Sequence, residues 1–137
     1  MHVQQMISTH PHVRDDLNRA LLACIEHCFD CAQTCITCAD ACLGEDDVGP
    51  LKQCIRLNLD CADICKAVGE IASRRTGSNN RLIVHALETC RLACKLCEDE
   101  CRLHASYHEH CKICAVACRA CKDACVAAQS TLAVGFS

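Results

Sequence analysis

Cys24, Cys28, Cys31, Cys35, Cys38 and Cys42 follow one another at alternating intervals of four and three residues. That is the spacing of the inward seam of an α-helix, where positions three and four apart lie on one face, and here every seam position is a thiol. The pattern returns in Cys90, Cys94, Cys97 and Cys101, and again in Cys114, Cys118, Cys121 and Cys125 after Cys111. A thinner copy runs Cys54, Asn58, Cys61, Cys65, with asparagine at one step. A chain written this way has thiols where a helical bundle ordinarily carries leucine. Its interior reads as a store for a soft metal ion.

Breaker residues cut the chain into four long helical segments behind an N-terminal extension, residues 1–10, with room for a short extra turn. The first segment is expected from about Pro11 to Leu43, with Thr9 as its N-cap and Gly44 as its stop. The second begins near Pro50 and ends before Gly77. The third runs from about Asn80 to Ala105. Ser106-Tyr107-His108-Glu109 fits a capping box and restarts the chain as a fourth helix to about Ser130. No strand pattern competes, and short connections between long helices favour antiparallel neighbours. The expected fold is all-α, an up-down-up-down four-helix bundle with a cysteine-lined core, and 137 residues suit one such domain.

Composition supports a core filled by thiols. Aromatic residues make up 2% of the chain and tryptophan is absent, so the usual bulky core residues are missing. A formal charge of -3 with scattered basic residues offers no stripe for a phosphate backbone, and nucleic acid is not an expected partner. No stretch has the length and apolarity of a membrane span, and no basic-then-apolar leader opens the sequence. The expected setting is the reducing cytoplasm.

Three roles compete for the cysteines. A disulfide scaffold fits poorly, because thiols on one helix face point in parallel and only cross-helix pairs meet the bond geometry. Buried cysteine acting as a small hydrophobe explains one or two residues, not eighteen at helical spacing. Metal thiolate explains the whole set. Zinc and iron-sulfur sites gather four cysteines around a point, usually through loops, whereas a straight helix offers a line. Neighbouring thiols on that line, roughly 5 to 6 Å apart at Cβ, suit Cu(I), a soft ion that accepts two or three shared sulfurs. The alternatives are a zinc or cadmium thiolate buffer and an iron-sulfur electron carrier. An enzyme is not expected, since no cysteine stands in a single-nucleophile setting.

Extending the four seams beyond their cysteines separates two ends. Leu17, Leu21, Val68, Ala72, Ile83, Leu87, Ala128 and Leu132 gather as an apolar plug. The other end collects Cys42, Cys54, Asn58, Cys101 and Cys111 with His104, His108 and His110, and reads as a mouth. His104 follows Cys101 at the seam step and is expected to point inward. Solvated end positions are the other reading for all three histidines. Asn58 is either an internally hydrogen-bonded amide or an oxygen ligand. His2, His10, His12, His27 and His85 are expected at the surface. Glu45, Asp46, Asp47, Glu98, Asp99, Glu100 and Glu109 make the mouth end acidic, either to draw cations or as a solvated face. Beside the first thiol seam runs Ile25, Phe29, Ala32, Ile36, Ala39, Leu43, which packs against neighbouring helices or forms a subunit interface.

The stretches CIEHCFDCAQTCITCADAC, CADIC, CRLACKLCEDEC and CKICAVACRACKDAC, within residues 17–128, resemble the bacterial cytosolic copper storage proteins. That resemblance implies a homotetramer of four-helix bundles, each binding many Cu(I) ions through inward cysteines, with histidine-bearing access at one end. His104, His108, His110 and Asn58 match that access region. Copper ions are the expected partners, together with a copper donor or acceptor protein. Exported relatives carry a leader and a methionine-lined mouth; Met1 and Met6 do not supply one here.

Overall fold

The computed structural model describes residues 1–14 and 16–132. Its elements are α1 (Val3–Ser8), α2 (Arg19–Leu43), α3 (Lys52–Ser73), α4 (Asn80–His104) and α5 (Glu109–Leu132), with a 3₁₀ turn at Gly49–Leu51 before α3. The four long helices form a ring in which α2 and α4 each pack against both α3 and α5. Joined by short turns, they run up-down-up-down. Among the described residues every regular element is helical, and no helix is long and apolar enough to cross a membrane.

The first long helix begins later than Pro11. The Thr9 hydroxyl donates to the carbonyls of Gln5 and Met6, closing α1 instead of opening the next helix. Arg14 then takes a positive φ of 45°, which breaks any helical run. Asn18 is the true cap: its backbone is extended and its side-chain oxygen accepts from the Leu21 N–H at 3.0 Å. The last helix also starts differently. The N–H groups of Tyr107 and His108 both donate to the His104 carbonyl, so Ser106 lies inside a tight turn. The His108 carbonyl accepts the first bonds of α5, from Cys111 and Lys112, which places the cap at His108.

The seam positions all turn inward. No cysteine is more than 2% exposed, and all eighteen are free thiols. Leu21, Val68, Ala72, Ile83, Leu87, Ala128 and Leu132 close one end as buried apolar residues, while Leu17 is only partly buried against them. The extension lies over this end through Ile7, and His10 holds it to the α3–α4 connection by a 3.2 Å bond to Thr76. A cavity of about 380 Å³ remains beneath it, lined by Ile7, Val13, Leu21 and Leu22.

The second stripe of α2 divides. Ile25, Ala32 and Ala39 are buried, whereas Ile36 and Leu43 are exposed. Phe29 lies across Gly69 of α3, where an added Cβ would come within 3.0 Å of the ring. Gly69 is therefore what lets α2 and α3 approach at that level.

Candidate metal centre

One helix turn supplies one thiol to the axis, and four helices meeting there turn lines of sulfur into clusters. Clusters with all their sulfurs within 4.8 Å of one another include five quartets: Cys28, Cys90, Cys121, Cys125; then Cys31, Cys65, Cys94, Cys121; then Cys31, Cys35, Cys61, Cys118; then Cys35, Cys97, Cys114, Cys118; and Cys38, Cys42, Cys54, Cys111. The first four form a chain, because Cys121, Cys31, Cys35 and Cys118 each serve two neighbouring quartets. Cys24 continues the column toward the plug, 3.7 Å from Cys125. Cys101 continues it toward the mouth, 3.7 Å from Cys54.

This geometry revises the argument against a four-coordinate ion. A single helix offers only a line, but the bundle gathers four sulfurs around a point. Shared sulfurs now carry the discrimination. Ions that need four private ligands cannot occupy adjacent quartets, whereas soft ions that accept bridging thiolates can fill the column continuously.

Without metal, the sulfurs share protons among themselves. Cys24 is pushed down to about 5, chiefly by hydrogen bonding with Cys125 and Cys28 and least by nearby His27. Cys54 is pushed down to about 3 by hydrogen bonds from Cys101 and Cys38, with His104 adding a smaller favourable charge. Burial pushes Cys42 up to about 11. Deeper in, hydrogen bonding among neighbouring sulfurs drives Cys35 and Cys94 upward and Cys61 and Cys90 downward. Loading a soft cation must displace these protons, so uptake is tied to proton release.

Asn58 is fully buried in this column. Its Nδ2 donates to the Cys54 carbonyl at 2.9 Å, which fixes the amide. Its Oδ1 then faces inward and accepts from Cys114 at 2.9 Å and Cys97 at 3.2 Å. The amide is thus internally hydrogen-bonded, with its oxygen directed at the sulfurs.

The three predicted histidines gather at the open end. His110 places Nδ1 3.4 Å from the Cys38 sulfur and 3.6 Å from that of Cys111. His108 stacks on it, with ring centroids 5.5 Å apart. His104 stands 2.9 Å from Glu100. A cleft of about 450 Å³ opens there, bounded by Glu45, Asp46, Asp47, His104, Tyr107 and His108. Of the remaining histidines, His2, His12 and His85 are exposed, while His10 and His27 are half-buried.

The acidic residues of this end do not all face solvent as free charges. Glu98 is 4% exposed and is held by Arg102 at 2.7 Å on its own helix and by Lys122 of α5 at 3.0 Å. Burial pushes its carboxyl up, but these two cations outweigh burial and leave it below the ordinary range. Asp99 pairs with Lys95, and Glu45 contacts both His108 and His110. Along the chain Glu45, Glu98 and Glu100 read as parts of one acidic end. The step of four between Glu100 and His104 was the available signal for one pairing; nothing local in the sequence joins Glu45 to α5.

The profile of a family described as copper storage protein matches residues 17–130. A Bacillus subtilis protein described as an uncharacterized cysteine-rich protein, YhjQ, is 37% identical over 92 residues, covering 67% of this chain and 80% of that protein. The copper storage protein Ccsp of Streptomyces lividans, solved with 10 copper equivalents, superposes with a TM-score of 0.89 at 43% identity, covering 93% of this chain and 98% of that one. The same cytosolic protein solved with five coppers gives a TM-score of 0.78 at 45% identity over 87% of this chain and 96% of that one.

Proposed function

This chain belongs to the copper storage protein family and stores copper in its column of thiols, and from that premise we propose that the stored ion is Cu(I), held in the cytoplasm and admitted at the histidine end. The observation that carries this reading is the sharing of Cys31, Cys35, Cys118 and Cys121 between adjacent quartets. Soft d10 ions accept bridging thiolates and so make use of every sulfur in such a column. All eighteen cysteines serve as ligands, with His104, His108 and His110 as donors at the mouth. The Asn58 oxygen loses its thiol donors when those thiols are deprotonated by copper, which leaves it facing the ions as a weak oxygen donor.

The role is sequestration, not catalysis: buried thiolates keep a redox-active ion reduced and away from solvent. Copper donor and acceptor proteins deliver and collect it, and the bundles assemble as a homotetramer, a reading supported by leucines such as Leu92 and Leu96 left about half exposed on α4. Anaerobic titration of the reduced protein with Cu(I) against a competing chelator tests the reading. The expected capacity is on the order of one Cu(I) per cysteine, with zinc saturating far lower. Saturation at four or five Cu(I), or zinc capacity equal to that for copper, would overturn it in favour of discrete clusters or a general thiolate buffer.

A further inference from the structure

Glu45 leaves the C-terminal turn of α2 just beyond Gly44 and reaches across the mouth to the start of α5. One oxygen, Oε2, lies 2.8 Å from His110 Nε2 and 3.0 Å from His108 Nδ1. The two rings meet the carboxylate through opposite nitrogens. In a neutral imidazole the nitrogen against a carboxylate carries the proton and the other keeps its lone pair. For His110 the lone pair is then on Nδ1, the atom 3.4 Å from Cys38 and 3.6 Å from Cys111. For His108 it is on Nε2, on the far side of the ring from Glu45. A single carboxylate thus prepares one histidine to bind a soft ion beside the sulfurs and its stacked neighbour to bind one through the opposite nitrogen.

We propose that Glu45 is the positioning residue of the mouth, setting the tautomers of His108 and His110 so that a Cu(I) ion passes from His108 Nε2 to His110 Nδ1 and on to the Cys38 and Cys111 sulfurs. The physical reason is the one that governs metal-bound imidazole generally. A carboxylate on the second nitrogen fixes ring orientation and makes the ligating nitrogen a better donor. Glu45 suits this task because its position at the end of α2 places it outside the sulfur column. Its Oε2 lies within hydrogen-bond distance of both rings, so one oxygen is placed to accept from both. His108 also lines the solvent-facing cleft, whereas His110 lies nearer the sulfurs of the outermost quartet, Cys38, Cys42, Cys54 and Cys111. The order of contacts from solvent inward is therefore His108, His110, thiolates.

This inference rests on admission at the histidine end, and the experiment separates the two. Loading of reduced apo-protein from a Cu(I)–bathocuproine disulfonate complex is followed anaerobically for wild type, Glu45→Gln, the double variant His108→Phe/His110→Phe, and the triple combination. Glu45→Gln should slow loading by about 10- to 100-fold while leaving capacity unchanged. Added to the double histidine variant it should have no further effect. Nitrogen NMR of the apo-protein should show His110 shifting away from the Nε2–H tautomer in Glu45→Gln. If the double histidine variant loads at the wild-type rate, admission at this end is wrong. If that variant is slow but Glu45→Gln loads normally, or leaves the His110 tautomer in place, the positioning role alone is overturned. If Glu45→Gln slows loading equally without the two histidines, the carboxylate acts as an attracting charge and the positioning role is likewise overturned.

Discussion

The Asn58 side-chain oxygen lies 2.9 Å from the Cys114 sulfur, at a seam position where the rest of the pattern would place another thiol. Its amide nitrogen is anchored to the Cys54 carbonyl one turn earlier. With Cys97 as a second thiol donor, one amide joins α3, α4 and α5 in a site with no access to water. Asn58→Ala should destabilise the reduced apo-protein by about 1 to 3 kcal/mol, the cost of leaving buried polar groups without a partner. Chemical denaturation of the apo-protein measures it, and an unchanged midpoint would mean the amide is not holding this level together. Cu(I) capacity should fall by no more than one ion.

Reduced apo-protein should already be helical. Cysteine packs as a small hydrophobe, and the plug and seam residues form one continuous buried core. Metal then adds stability by binding the folded state. A circular dichroism spectrum of an unfolded chain that becomes helical only with Cu(I) would contradict this.

The two ends should respond differently to mutation. Leu21→Ala and Leu87→Ala each remove a buried plug side chain and should cost roughly 2 to 5 kcal/mol in thermal or chemical unfolding. Neither should change Cu(I) loading kinetics. Replacing His104, His108 and His110 together with Phe should slow both loading and chelator-driven removal, leaving most thiolate capacity intact. Faster exchange in the plug variants with normal exchange in the histidine variant would reverse the assignment of ends.

Acid should expose the Glu98 clamp. A carboxyl whose folded-state pKa lies below its unfolded value stabilises the fold above the unfolded value, about 4.3, and that stability is lost as pH falls through the folded pKa. Glu98→Gln should therefore lower stability at neutral pH by about 1 to 2 kcal/mol, a modest figure because Arg102 is half exposed. The gap between variant and wild type should close progressively below about pH 4. A gap that stays constant down to pH 2 would show that the ion pairs are not its source.

Glu98 also marks where sequence reading stops. Its charge and its step of four to Arg102 are visible along the chain, but its burial against Lys122 is not. The late start of α2 is a related case: Thr9 and Pro11 are good helix-start residues, yet Thr9 spends its hydroxyl on α1 and Asn18 wins as the cap. Capping preferences name candidates, and competition among them is settled by what else each side chain can reach.

What the sequence determined by itself is everything that follows from one helix at a time. The intervals of four and three put each thiol on an inward face, the apolar seam extensions built a plug at one end, and the histidines after Cys101 and before Cys111 marked the other. These are properties of backbone periodicity, and no partner helix is needed to read them. Only the tertiary structure decided which sulfurs share a quartet, that four helices make points where each alone makes a line, and that Glu45 of the turn after α2 meets two imidazoles at the start of α5. Those relations depend on the rotation and register of helices packed side by side. Residues dozens of positions apart set them jointly, and no local pattern records them.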